Sequence, residues 1–110
     1  MRLPLLCAAM IAPLLIAIPQ AYGASVELRG VRSCGKWFEE RLPGATKWGE
    51  AWLAGYLSGQ AMALERDFLK GTDNPSIFYW MDSYCRLNPL KDIADGAEDL
   101  VQELRKKKGI

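Results

Sequence analysis

Cysteine is the residue type in this chain with the widest range of chemistry, because a thiolate can attack a substrate, bind a metal or form a disulfide. The chain has three cysteines and no histidine in its 110 residues. Without histidine, Ser-His and Cys-His catalysis is excluded, and the commonest metal ligand is missing. Cys7, Cys34 and Cys85 form no Cys-x-x-Cys pair, which catalytic thiol exchange usually requires. The thiols therefore indicate a structural role.

Other short patterns could also suggest catalysis. Ser33-Cys34-Gly35-Lys36 fits the Ser-x-x-Lys pattern of penicillin-binding enzymes, but their Ser-Asp-Asn and Lys-Thr-Gly elements are absent. The acidic pairs Glu39-Glu40 and Asp92/Asp95 lie among basic residues on faces expected to be in solvent. A phosphate loop, a dinucleotide fingerprint and zinc-ligand spacing are missing. We therefore expect no catalytic residues, no metal and no cofactor. A small enzyme is the least favoured interpretation.

Residues 1–23 are typical of a secretory signal peptide. Arg2 precedes an apolar run over residues 3–18, and Ala21-Tyr22-Gly23 places small residues for cleavage before Ala24. The run of 16 residues is shorter than the ~20 that a spanning helix needs, so we expect no stable membrane anchor after cleavage. The expected location is the periplasm. Cleavage would also remove Cys7.

The mature chain, residues 24–110, is expected to be one small domain. A domain of this size buries only about 60–65% of its unfolded surface, so a covalent crosslink is a common remedy. In an oxidising compartment the two remaining cysteines, Cys34 and Cys85, most simply form one disulfide. In the chain-entropy model a loop of this length stabilises the fold by ~4 kcal/mol. The alternative is two buried free thiols that act as small apolar residues.

The charge of the mature chain excludes one class of partner. Residues 24–110 hold 13 basic and 13 acidic side chains, and four of the bases lie together at residues 105–108. Nucleic-acid binding needs a broad basic surface, which this composition does not provide. We favour a role for Lys106 to Lys108 in stabilising a helix C-terminus. The alternative is a docking site for anionic partners or lipid head groups.

The mature sequence predicts an all-α fold with three main helices and a short N-terminal one. Residues 24–33 are expected to form an arm or a short strand, followed by helical turns from Cys34 to Arg41. A long helix is predicted from an N-cap at Thr46 to Lys70-Gly71. The last two helices are expected to begin at the cap-then-proline pairs Asn74-Pro75 and Asn88-Pro89, the latter with Leu90 on its buried face.

Small residues form a stripe on the long helix. Gly55, Gly59 and Ala63 recur every four residues on one face. Two glycines inside a helix cost roughly 1 kcal/mol each relative to alanine, so close packing of another helix should offset that cost. We favour packing within the chain, and a homodimer seam is the alternative.

The candidate contact loop lies between the long helix and the helix predicted to begin at Asn74-Pro75. Its residues are Lys70, Thr72, Asp73 and Asn74. Loops carried on rigid helices often bind partners. The four tryptophans should lie mostly in the core, with a partner surface as the alternative for at least one of them, because tryptophan is common at interface hot spots. They are Trp37, Trp48, Trp52 and Trp80.

Several spaced motifs resemble one family of proteins over about residues 33–104. They are Cys34-Gly35-x-Trp37, Trp52-x-x-Gly55-Tyr56-Leu57-x-Gly59, Trp80-Met81-Asp82-x-Tyr84-Cys85 and Asn88-Pro89-Leu90. Together they resemble the Rap/Tai immunity proteins, small periplasmic helical proteins that neutralise peptidoglycan amidases delivered by type VI secretion. The same pattern is similar to the HdeA/HdeB acid-stress chaperones, which are helical, periplasmic and crosslinked by one disulfide.

The resemblance implies a binding protein rather than an enzyme. It implies a Cys34–Cys85 bridge and a protein partner, with a secreted peptidoglycan amidase as the partner class. No motif marks residues that contact the toxin. The alternative function is an acid-activated chaperone, in which protonation of 13 carboxylates would leave a strongly positive domain that opens by self-repulsion.

Overall fold

The computed structural model describes residues 1–4, 8–16 and 25–110. Four helices follow one another: α1 (Cys34–Arg41), α2 (Trp48–Leu64), α3 (Asn74–Leu87) and α4 (Ile93–Lys108). Within the described ranges there is no β-strand, and the only isolated β-bridge pairs Ser33 with Asp92. The predicted all-α fold with a short N-terminal helix and three longer ones is therefore confirmed.

Part of the predicted leader lies outside the described residues. This applies to Cys7 and to the expected cleavage site at Ala21 to Ala24. Among the described residues, no helix combines the length and apolar character required to cross a membrane.

The disulfide is present and joins α1 to α3. Cys34 and Cys85 are fully buried, and their Cα atoms lie 5.1 Å apart. The pairing predicted from the cysteine count is confirmed. Since Cys34 begins α1 and Cys85 lies near the end of α3, the bond holds the two helices in antiparallel contact. The loop that the disulfide closes, residues 34–85, contains most of the helical domain.

The arm before α1 is attached to the loop before α4. The amide of Cys34 donates to the carbonyl of Lys91 at 2.9 Å, and the amide of Ile93 donates to the carbonyl of Arg32 at 3.0 Å. The Ser33 hydroxyl also caps α1 by accepting from the amide of Lys36 at 3.1 Å. The arm therefore fixes where both α1 and α4 begin.

All four helices contribute to one core. Its fully buried members include Trp37 of α1, Leu53 and Leu57 of α2, Met81 of α3 and Ile93 of α4. The other core residues are Cys34, Phe68, Ile77, Tyr84, Cys85, Ala97, Leu100, Val101 and Leu104. The apolar face predicted for α4 is buried from Ile93 to Leu104, with Ala94 half-buried, whereas Leu90 is exposed.

The predicted boundaries of α2 are wrong at both ends. Lys47, not Thr46, precedes the first turn, and it makes no side-chain capping bond. The helix ends at Leu64, and Glu65 adopts a left-handed conformation with φ of 52°. Leaving the helix at this point lets Phe68 turn into the core, where it is fully buried. Burial of one aromatic side chain outweighs the good C-cap at Gly71.

The predicted starts of α3 and α4 are also shifted. Asp73 caps α3 in place of Asn74, because its carboxylate accepts from the amide of Ser76 at 2.8 Å. Asp92 caps α4, accepting from the amides of Ala94 and Asp95 at 2.9 Å each. Asn88-Pro89 forms a turn instead, and Leu90 is fully exposed rather than on the buried face.

Within residues 25–110, the stripe of small residues on α2 packs against no other helix. A Cβ placed on Gly55 or Gly59 would meet nothing within 4 Å, and Ala63 is exposed. The prediction of packing within the chain is therefore wrong, and the homodimer seam stays a prediction. The close approach occurs at Gly96 of α4, where a Cβ would lie 2.6 Å from Met81 Sδ and 2.7 Å from the Tyr84 ring.

Candidate functional site

A cleft opens between the first turns of α3 and the last turns of α4. Its volume is about 240 Å³, and it is partly enclosed. The two helices run antiparallel, so the start of one faces the end of the other. The lining residues are Thr72, Ser76, Ile77, Trp80, Leu100, Glu103, Leu104 and Lys107.

Helical spacing explains why these residues meet. On α4 the lining residues recur at intervals of three or four, which places them on one face. On α3 the Asp73 cap fixes the first turn and directs Ile77 and Trp80 toward α4. The floor is apolar because Ile77, Leu100 and Leu104 belong to the buried core. The walls carry the polar and charged groups.

Trp80 forms one wall of the cleft and is held in place on two sides. Its indole stacks on Tyr84 with ring centroids 5.6 Å apart and an interplanar angle of 11°. Its Nε1 donates a hydrogen bond to the Glu103 carboxylate of α4. Burial, followed by the negative charges of Asp99, Asp95 and Asp92, raises the pKa of Tyr84, so the phenol under Trp80 stays neutral. The aromatic wall is therefore pre-ordered.

The rim of the cleft is cationic. Lys107 lines it, and the Lys108 ammonium donates to the backbone carbonyl of Lys70 on the α2–α3 loop. Arg105 Nε donates to the carbonyl of Ile110 at 3.0 Å. Among the described residues, the five cations at positions 70 and 105–108 form no ion pair with a carboxylate. Lys107 therefore brings a positive charge to the edge of the apolar cleft, whereas Arg105 and Lys106 border a separate shallow depression.

The structure separates the four residues of the candidate contact loop into different roles. Thr72 lines the cleft, and the backbone of Lys70 joins the loop to α4. Asp73 is engaged as a helix cap, and the hydrogen bonds from the side chain and amide of Ser76 lower its pKa. Asn74 is exposed in the first turn of α3. Of the four, only Thr72 is thus placed where a ligand in the cleft would lie.

A second polar cluster surrounds Arg41, away from the cleft. Arg41 donates to both carboxylate oxygens of Asp82 at 2.9 and 2.8 Å and to Glu50 at 2.6 Å. Trp37 Nε1 donates to Asp82 at 2.7 Å. Every charge here has a partner, so the cluster joins α1, α2 and α3 and leaves no group free to bind a ligand.

The electrostatics of the Arg41 cluster favour its ionised state. The hydrogen bond to Asp82 raises the pKa of Arg41 despite partial burial. Burial alone would raise the pKa of Asp82, but hydrogen bonds from Arg41 and Trp37 and the charges of Arg41 and Arg86 outweigh it, so the pKa is lowered. The cluster is therefore charged at neutral pH.

The cleft is chemically suited to binding. Of the residues that the structure describes, no group of three or more His, Cys, Asp or Glu side chains is arranged to hold a metal ion. The lining combines an apolar floor, two hydroxyls, one carboxylate and one ammonium group. Such a mixture recognises a partner through an apolar anchor and oriented polar contacts.

Several cleft residues were missed by the sequence analysis. Ser76 and Glu103 were not singled out, because each is an ordinary polar residue on a helix, whereas Lys107 was considered within the cluster Lys106 to Lys108, with docking of anionic partners as the alternative role. Leu100 and Leu104 belong to the buried face predicted for the last helix. The repeat of Leu100, Leu104 and Lys107 at helical spacing was the available signal, but it does not reveal which helix lies opposite.

Comparison with known proteins gives no match to this chain among family models, curated proteins or solved structures. The resemblance to the Rap/Tai and HdeA/HdeB proteins is thus untested by these comparisons and stays a prediction.

Proposed function

We propose that the chain is a periplasmic binding protein of the immunity or inhibitor type, which covers the active-site cleft of a partner enzyme. The observation that carries this proposal is a pre-ordered cleft with a cationic rim on a crosslinked helical scaffold. The resemblance described above suggests a secreted peptidoglycan amidase as the partner.

A rigid scaffold supports tight inhibition for a physical reason. Association costs the conformational freedom of side chains and loops that become ordered at the interface. Here the disulfide joins α1 to α3, and the stacked Trp80 is already fixed against α4. Less freedom is therefore left to lose on binding. Inhibitors that bind enzymes tightly usually change little in backbone shape.

Occlusion would require only burial of surface and no chemistry by the inhibitor. A standard interface covers about 800 Å² on each partner, which one end of a small helical domain can supply. The end of this molecule that carries the cleft also carries the α2–α3 loop and the last turn of α4. These elements together form the surface that we assign to the partner.

Co-expression tests this function directly. The chain would be produced with its own leader in a bacterial host that also directs to the periplasm an amidase encoded beside its gene. We expect the chain to restore growth and to co-elute with the amidase in size-exclusion chromatography. A catalytically inactive amidase serves as the control for complex formation without toxicity. Failure to protect, together with no complex, would reject the immunity role.

An acid-activated chaperone is the second candidate, supported by how α2 is attached. Three carboxylates hold α2 against its neighbours, beside one hydrogen bond that Trp52 Nε1 donates to the carbonyl of Arg29 at 2.7 Å. Glu40 accepts from the amide of Gly49 at 2.8 Å, Glu50 pairs with Arg41, and Glu98 accepts from Tyr56. Protonation at low pH weakens all three contacts, while the disulfide between α1 and α3 is unaffected.

Dye binding separates the two candidates. As a chaperone, the protein should bind a hydrophobic dye and prevent aggregation of an unrelated protein at about pH 2–3, and lose both properties at pH 7. A domain that keeps its near-UV circular dichroism and protects nothing at pH 2–3 would exclude the chaperone.

A further inference from the structure

The cleft between α3 and α4 has a size that selects its occupant. An engineered cavity of about 150 Å³ lined by apolar side chains accommodates benzene, whereas pockets for drug-sized ligands are about 300–1,000 Å³. The cleft, at about 240 Å³, lies between these limits. It fits one aromatic or large aliphatic side chain of a partner rather than an independent small molecule.

The charges around the cleft select the residues that flank such a side chain. Lys107 lies on the wall, with Lys108 and the Lys70 backbone beside it. Glu103 is the one carboxylate in the lining, and it already accepts a hydrogen bond from Trp80. Since residues 25–110 carry equal numbers of acidic and basic side chains, this cationic end leaves the rest of the domain negative. Such a charge separation would orient an acidic partner toward the cleft.

We propose that the cleft binds an acidic segment of a partner protein, with one aromatic or aliphatic side chain on the Ile77–Leu100–Leu104 floor and carboxylates near Lys107. This inference rests on the proposed function, because it names the surface through which the chain recognises its partner enzyme. If Lys107 served only to stabilise the C-terminus of α4, it would not need to lie beside an apolar cleft with a pre-ordered tryptophan wall.

Peptide titration tests the site without the enzyme. The probe is the acetylated, amidated peptide Glu-Asp-Phe-Asp-Glu, added to the ¹⁵N-labelled protein. The readout is the indole N–H resonance of Trp80, assigned with a Trp80→Phe variant. We expect saturable shifts of this resonance. We expect no saturable shift with alanine in place of phenylalanine, or with lysines in place of the four acids. An equal response to all three peptides, or no response to the first, would overturn the proposal.

Two charge reversals on adjacent residues provide the matched control. Lys107 lines the cleft, whereas Lys106 lies beside a separate shallow depression formed by Gln102, Arg105, Gly109 and Ile110. We expect Lys107→Glu to weaken peptide binding about tenfold and Lys106→Glu to weaken it less than about twofold. Equal weakening by both variants would overturn the cleft assignment, since it would reflect net charge alone.

The two proposals can fail separately. If the chain inhibits the amidase but Lys107→Glu leaves that complex as tight as the wild type, the docking site is wrong and the immunity function stands. If the acidic peptide binds in the cleft but no amidase is inhibited, the site stands and the immunity function is wrong.

Discussion

The α3–α4 contact and the outer face of α2 place glycine in opposite environments. At Gly96 the backbone of α4 approaches α3 so closely that a Cβ would overlap Met81 and Tyr84. At Gly55 and Gly59 the same residue type faces open space. The difference shows that a glycine inside a helix indicates close packing only where a partner helix is actually present.

The two regions also differ in how they are joined to the rest of the domain. The α1–α3–α4 side has a covalent bond, the Asp82 network and a close backbone approach at Gly96. By contrast, α2 contributes Leu53 and Leu57 to the core and is otherwise tied mainly by carboxylate contacts, together with one hydrogen bond from Trp52 to the carbonyl of Arg29. We therefore expect the first region to determine global stability and α2 to respond first to acid.

The largest expected effect comes from removing the disulfide. The paired substitution of Cys34 and Cys85 by serine should lower the free energy of unfolding by about 4 kcal/mol, because the unfolded chain regains the freedom of a loop of about 50 residues. Urea denaturation of the wild type with and without dithiothreitol measures this change. The double variant is the control, since reductant should not alter its curve. A wild-type curve that does not respond to reductant would contradict the prediction.

The next largest effect tests the ion pair between Arg41 of α1 and Asp82 of α3. Asp82→Asn should lower stability at pH 7 by about 3 kcal/mol, because it removes the charge that pairs with the partly buried Arg41. Glu103→Gln is a matched control, since it also neutralises one interhelical carboxylate but leaves the Arg41 cluster intact. Urea denaturation at pH 7 compares the two variants. Equal losses would show that Asp82 has no special role.

The pH dependence of this variant has a definite sign. Because the folded-state pKa of Asp82 is lowered, its stabilisation is present above the ordinary carboxyl range and is lost as the pH falls through the folded value. The difference between wild type and Asp82→Asn should therefore shrink as the pH is lowered from 5 to 2. A difference that stays constant over this range would contradict the assignment.

Crowding at Gly96 gives a smaller loss. Gly96→Ala should destabilise the domain by about 2 kcal/mol, because the added methyl group overlaps the Tyr84 ring and Met81. Thermal denaturation followed by circular dichroism measures the change. A second variant combines Gly96→Ala with Met81→Leu. It distinguishes overlap with the flexible Met81 side chain from overlap with the rigid Tyr84 ring. An increase in melting temperature for Gly96→Ala would show that α3 can move away without cost.

The sequence predicted the features that local chemistry determines. The helical turns predicted from Cys34 to Arg41 match α1, and the cysteine count gave the disulfide. The predicted helix boundaries were wrong where a contact between residues distant in the sequence determines them. Burial of Phe68, for example, ends α2 early. Adjacent capping residues such as Asp73 and Asn74 also cannot be ranked from sequence, because both favour the position. The cleft was missed because Trp80 and Glu103 meet only through the antiparallel packing of two helices.

The smallest effect has the opposite sign and decides what the outer face of α2 is for. Gly59→Ala should stabilise an isolated domain by up to about 1 kcal/mol, because alanine favours the helix and its methyl group meets nothing within 4 Å. If the stripe is instead a homodimer seam, the same methyl group would separate two helices and weaken association. Melting temperature measured over a hundredfold range of protein concentration distinguishes these cases. A rise that is independent of concentration means that the stripe is free, whereas a concentration-dependent melting temperature that Gly59→Ala lowers would assign it to self-association.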